Sequence, residues 1–322
     1  DLTLFHIIMM GLGMMIGAGV FVGIGLSVVE AGPGGLLLTF GLNGLIALFT
    51  AMSFAELSSA IPRAGGAYNY ARIGFGRGVS FLAVWVEWFA SSMAGAFYAI
   101  VLATFTVDFL FQMIGISSDS TMHFWAIKAM SLIAAGTFIF INFRGSSETG
   151  KIGAIFTVAQ MLFVVAIAVV GIIVASMHPD RLANFQPFLK VGDGGGWWAL
   201  LGTMGVIYVA FEGFEVIAQA GDETVDPKRN LPKAMLYSVL IVTITYLLVA
   251  FASVVAVKNL GGGTIISWFG YQGGEIQGFR ASIQQLIPGV GGLLVTLAVI
   301  FSSTSALNAT IYSATRASYA LG

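Results

Sequence analysis

The apolar residues of this chain gather into eight long runs, at residues 4–28, 35–61, 79–111, 124–142, 152–177, 197–220, 231–257 and 289–321. A helix needs about 20 mainly apolar residues to cross a bilayer, and each run is of that order or longer. Inside the hydrocarbon there is no water to pair with backbone N–H and C=O groups, so runs of this length must be helices that satisfy their own backbone. The chain is 57% hydrophobic and 9% charged, where soluble domains carry about 25% charged residues. Its surplus apolar surface can only face lipid. The fold class expected is an all-α integral membrane protein, with residues 1–322 forming a single transmembrane domain. The third run has 33 residues, about 50 Å of helix, so it should tilt or project beyond a core about 30 Å thick.

The charges exclude some functions and orient the spans. A net charge of −1 argues against a nucleic-acid partner. The absence of cysteine removes disulfides and thiolate metal sites, and His6, His123 and His178 lie too far apart for a metal-ligand pattern. No cofactor is expected. With the N-terminus in the cytoplasm, nine of the fourteen basic residues fall on the inner side: Arg63, Arg72, Arg77, Arg144, Lys151, Lys228, Arg229, Lys233 and Arg316. Lys128, Arg181, Lys190, Lys258 and Arg280 fall outside. That bias predicts a multi-pass protein of the cell (plasma) membrane with a cytoplasmic N-terminus. The outer loop at 261–280 is glycine-rich, and "SIQQLIP" at 282–288 reads as a short surface helix. The chain begins at Asp1 without methionine or a visible signal peptide, and its last run extends to the final residues. It reads as a piece of a longer protein that lacks later helices.

Two of the eight runs are weakened at their centres. "MMIGAGVFVGIG" (14–25) holds Gly17, Gly19, Gly23 and Gly25, and glycine in a helix interior costs about 1 kcal/mol relative to alanine. In the sixth run, "MGVIYVAFEGFEVIAQAGDET" (204–224), Glu212 and Glu215 flank Gly213 at mid-span. A carboxylate there is costly unless it faces protein or water. The glycines alone are explained as close helix contacts, since "GLGMMIG" has small-xxx-small spacing. Their pairing with the Glu212–Gly213 interruption favours broken helices instead. The two runs lie five spans apart, and an odd offset inverts the second copy, the geometry of inverted-repeat transporters. A broken helix frees N–H groups for an anion and carbonyls for a cation, so a zwitterion satisfies both.

Together, "GLGMMIGAGVFVGIG", "AELSSAIPRAGGAYNYAR" (55–72), "VAFEGFE" and "DETVDPKRNLPKA" (222–234) resemble the amino acid–polyamine–organocation superfamily over essentially the whole chain. That resemblance implies the leucine-transporter fold of two inverted five-helix repeats, of which eight spans are present. It implies an amino acid substrate bound at the unwound centres of spans one and six, with the lipid bilayer as the surrounding partner. Gly17, Ala18 and Gly19 match the motif whose N–H groups take a substrate carboxylate. Met15 and Ile16 lie on the carbonyl side, where an amino group docks. Val209, Ala210, Phe211 and Glu212 match the sixth-span break. Phe211 is either a gating aromatic or ordinary packing.

Coupling is less plainly written. Proton-coupled members carry a fifth-span lysine where alignment places Gln160, which cannot titrate. Thr304 and Ser305 in "FSSTSALNA" match sodium-ligating hydroxyls of relatives, yet such hydroxyls also bond the preceding helix turn. Glu212, at the break, and Glu87, deep in the third span, are proton-carrier candidates; Glu87 can equally be structural. The reading favours a proton over sodium, with ion-free exchange a third option. Glu215 reads as structural, Glu56 as a partner for Arg63 or Arg72 on the inner side, and the loop holding Asp222, Glu223, Asp226, Lys228 and Arg229 as a solvated face. The leading function is secondary amino acid transport by alternating access. A polyamine or organic-cation carrier and a non-transporting membrane sensor are the alternatives. No nucleophile-base pair, zinc motif or phosphate loop points to an enzyme.

Overall fold

The computed structural model describes residues 2–115, 121–192, 194–273 and 275–321. The first apolar run forms two helices, α1 (Leu4–Met15) and α2 (Ala18–Ala31), bent by 43° across their junction. Then follow α3 (Pro33–Ala60), α4 (Ala67–Phe75), α5 (Arg77–Ile114), α6 (Thr121–Arg144) and α7 (Ser146–Met177). The sixth run forms α8 (Gly196–Ile207) and the short α9 (Glu215–Gln219), joined by a 3-10 turn at Tyr208–Phe211. The chain continues through α10 (Pro227–Val255), α11 (Ile265–Tyr271), α12 (Glu275–Leu286) and α13 (Gly291–Leu321). Counting each broken run once gives the eight expected spans, and no strand longer than a single bridge occurs among the described residues.

Spans related by an offset of five pack on one another. In this way α3 meets α10, α5 meets α13, α1 meets α9, and α2 meets α8. That is what two inverted repeats around a shared axis require. The core is built where these pairs converge, around Phe21, Phe40, Phe211 and Tyr246, each fully buried. α6 stands at the periphery, with Leu132 75% and Phe143 86% exposed, as lipid-facing side chains are. Two glycines of "GLGMMIG" lie at close helix contacts. A Cβ on Gly11 would strike Ile217, and one on Gly13 would strike the hydroxyls of Ser305 and Thr157.

The structure departs from the sequence reading in its short helices. α4 interrupts what reads as a loop between spans two and three. The glycine-rich segment at 261–280 holds α11 and the start of α12, and Thr264 caps α11 by accepting from the Ser267 N–H. α12 is no surface helix: Phe279 and Ile283 are fully buried, and it packs on α2 and α13. Its few apolar residues all fall on one face, too sparse to register as an apolar run. The "DPKRNLPKA" motif shapes the turn into α10. Asp226 adopts a left-handed φ of 46°, its carbonyl accepts from the Arg229 and Asn230 N–H groups, and Pro227 begins the helix.

Candidate functional site

At the first break α1 stops at Met15 and α2 starts at Ala18. Gly17 is extended, with φ −90° and ψ −171°, and its N–H turns back to the Met15 carbonyl at 2.9 Å. A glycine at this position has no side chain to cap the helix that follows, so the N–H groups opening α2 at Ala18 and Gly19 lack a side-chain acceptor. Such uncapped amides, at the positive end of a helix dipole, favour an anion. Tyr98 of α5 covers Gly17 so closely that a Cβ there would lie 2.5 Å from its Oη, whereas a Cβ on Gly19 would meet nothing within 4 Å.

The second break is longer. After the 3-10 turn, Glu212 is extended (φ −69°, ψ 144°) and Gly213 takes φ 131°, a region that L side chains avoid. A Cβ on Gly213 would come within 2.9 Å of the Met15 backbone nitrogen, so the two breaks touch. Glu215 caps this break from within: its Oε2 accepts from the Gly213 N–H at 2.8 Å. Tyr246 of α10 joins the breaks from behind. Its buried Oη lies 2.7 Å from the Met15 carbonyl and 2.9 Å from the Ala210 carbonyl. Both carbonyls belong to turns where regular helical pairing is lost, and the hydroxyl supplies the donor that the membrane core cannot.

Beside the breaks lies a cavity of about 260 Å3, lined by Met14, Glu87, Tyr98, Val209, Glu212 and Glu215 among others, with no lysine or arginine in its wall. Of the three carboxylates, Glu215 is held by Gly213, and Glu87 accepts a hydrogen bond from the Gln219 side chain. Glu212 is exposed to this space and has no hydrogen-bond partner among the described residues. The arrangement offers uncapped N–H groups at the first break and an unpartnered carboxylate in the cavity wall.

The residues expected at the site divide accordingly. Val209 and Glu212 line the cavity. Ile16 and Ala18 are buried beside it, and the Met15 carbonyl already has Gly17 and Tyr246 as donors. Phe211 faces away from the cavity. It is fully buried, with its ring centroid 5.2 Å from that of Tyr246 and 6.2 Å from that of Phe40, because the tight turn before Glu212 directs it into the core. Thr304 and Ser305 each have a hydrogen-bond partner. Thr304 donates to Ile300 of its own helix at 2.7 Å, while Ser305 bonds the Thr157 hydroxyl at 2.6 Å. Thr157 in turn donates to the Met9 carbonyl at 3.1 Å, so the fifth-span hydroxyl that reaches the first span is Thr157. Gln160, one turn on, is fully buried, and neither its Oε1 nor its Nε2 has a hydrogen-bond partner among the described residues.

Two expectations about the charged end fail. Glu56 is exposed and makes no ion pair with Arg63 or Arg72. The side chain that pairs is Glu223, read from sequence as solvated: it is half-buried and accepts from both Arg316 and the Tyr312 hydroxyl of α13. Its carbonyl also accepts from the Leu2 N–H at 2.7 Å, and Val225 N–H donates to the Leu2 carbonyl at 2.9 Å. Sequence reasoning missed Tyr98, Tyr246 and Gln219. The available signal was a polar group in the middle of an apolar run, which needs a partner.

The model of the amino acid permease family matches residues 6–322. The chain is 27% identical over 261 residues to the branched-chain amino acid permease BcaP of Bacillus subtilis, covering 78% of this chain and 53% of that one. It is 29% identical over 258 residues to the BcaP of Lactococcus lactis, covering 76% and 54%. It therefore spans about half the length of these relatives. Among solved structures it resembles a nucleobase-cation-symport-1 family transporter in a closed conformation with bromovinylhydantoin bound. The TM-score is 0.57 at 13% identity, covering all of this chain and 68% of that one, a likeness of fold alone. The paired broken spans, the five-span offset and the family match over nearly every residue agree: the chain belongs to the amino acid permeases of the amino acid–polyamine–organocation superfamily and has the leucine-transporter fold.

Proposed function

We propose that this chain carries the substrate site of a secondary amino acid transporter that works by alternating access across the plasma membrane, with its N-terminus in the cytoplasm. The observation that carries the reading is the contact of two broken spans, the first with uncapped N–H groups, beside a cavity that holds an unpartnered carboxylate. The substrate carboxylate is taken by the Ala18 and Gly19 N–H groups, and Gly17, without a side chain, allows a close approach to the backbone. The substrate amino group faces the carbonyl side at Met15 and Ile16, the Val209–Ala210 turn and Glu212. Phe211 supports this wall from the core. Glu212 is the first candidate for the coupling proton and Glu87 the second. Sodium at Thr304 and Ser305 is the weaker alternative, since those hydroxyls are engaged elsewhere.

A second reading within transport has its own support. Three carboxylates and no basic side chain line the cavity, which suits a substrate with an additional cationic group, such as a diamine or a basic amino acid. Uptake of labelled neutral and basic amino acids and of diamines into proteoliposomes, under imposed pH or sodium gradients, separates the readings. Proton-driven uptake of amino acids, lost in Glu212→Gln, is expected. Sodium-driven uptake that is unaffected by that substitution would remove Glu212 from the mechanism. Binding without uptake would favour a sensor.

A further inference from the structure

A second cavity, of about 850 Å3, opens where α3 ends and α10 begins, at the end of the bundle with the greater share of basic residues. Arg63, Arg72 and Lys228 line it, with Tyr68, Asn69 and Ile73 between them, and no acidic side chain is in its wall. The three cations come from separate segments: the connection after α3, the last turn of α4 and the first turn of α10. None has a carboxylate within ion-pair distance among the described residues. Arg72 is held in place, since its guanidinium donates to the Tyr68 hydroxyl and lies 5.7 Å from the centre of that ring. Like charges gathered around a concave, low-dielectric wall focus a positive potential and call for an anion.

The flank of the cavity says which anion. On α4, next to Arg72, Ile73 is 71% and Phe75 76% exposed. Both sit on the connecting helix just before the third span begins at Arg77, where apolar side chains beside cations contact acyl chains while the charges reach headgroups. A free anion has no use for that apolar edge; an anionic phospholipid uses both parts. We propose that this cavity is a binding site for an anionic phospholipid, its phosphate held by Arg63, Arg72 and Lys228 and its acyl chains lying against Ile73 and Phe75.

The test is to purify the full chain from mixed phosphatidylglycerol and phosphatidylcholine bilayers and to measure retained lipid by native mass spectrometry. The wild type is compared with a triple variant, Arg63→Gln, Arg72→Gln and Lys228→Gln. A control removes three cations elsewhere, Lys128→Gln, Lys151→Gln and Lys258→Gln. All six side chains lie outside the core, and thermal unfolding verifies that both variants fold. Retention of phosphatidylglycerol over phosphatidylcholine by wild type and control, reduced about tenfold or more in the triple variant, is the expected result. Equal retention by the triple variant overturns the proposal. So does full displacement of the lipid by inorganic phosphate or glycerol phosphate, which would make the site one for a soluble anion.

Discussion

The two broken spans solve the same problem with opposite means. The first is interrupted briefly, at Ile16 and Gly17, and leaves the N–H groups that follow without a side-chain cap. The sixth passes through a 3-10 turn, an extended glutamate and a left-handed glycine, and then caps its own freed N–H with Glu215. One break thus leaves its N–H groups without a side-chain cap, while the other caps its Gly213 N–H from its own chain and presents a carboxylate, Glu212, to the cavity. Two inverted copies of one design need not share a chemical role. Here the first break leaves bare N–H groups, and the second places a carboxylate in the cavity wall.

Four substitutions sharpen or break that contrast. The largest effect is expected at Gly213. Gly213→Ala combines a disfavoured φ of 131° with a collision against the Met15 backbone. Strain and overpacking, at about 1–3 kcal/mol each, should sharply reduce the folded yield and the unfolding temperature in detergent. A variant as stable as wild type would mean that the left-handed turn is dispensable. Next is Tyr246→Phe, which removes the donor shared by the Met15 and Ala210 carbonyls and should cost about 1–3 kcal/mol in the same assay. No loss would show that neither carbonyl depends on it.

Glu215→Leu should destabilise by about 1–2 kcal/mol through loss of the Gly213 cap, with Glu215→Gln retaining much of it. If the leucine variant keeps full stability and loses only uptake, Glu215 belongs to the ligand and the two breaks are less different than described. The smallest stability effect is expected at Gly19. Gly19→Leu enters open space, so unfolding should shift by no more than about 0.5 kcal/mol. Uptake should nevertheless fall severely, because the side chain would fill the approach to the uncapped amides. Unchanged transport would remove those amides from the site.

Much of the fold was legible because it rests on local composition. Apolar runs declare spans, and residues that spoil a membrane helix, Gly17 on one side and Glu212 with Gly213 on the other, declare the breaks. The site was legible only in part, since its remaining members are set by contacts across hundreds of residues. Tyr246 reaches a carbonyl 231 positions away, and Thr157 meets Ser305 across 148. Periodicity carries no trace of such pairs. Phe211 shows the same limit: a residue at a break points toward the cavity or the core according to one turn's geometry. α4 was hidden because none of its residues is buried, and α12 was read only in its last turns, as a surface helix, because its apolar residues are sparse.

The Tyr246 hydroxyl has one hydrogen and two carbonyls within reach. It can serve only one fully at any instant, so the two interrupted helices draw on a common proton. Rotation about a single C–O bond carries that hydrogen from one carbonyl to the other, with no displacement of either backbone.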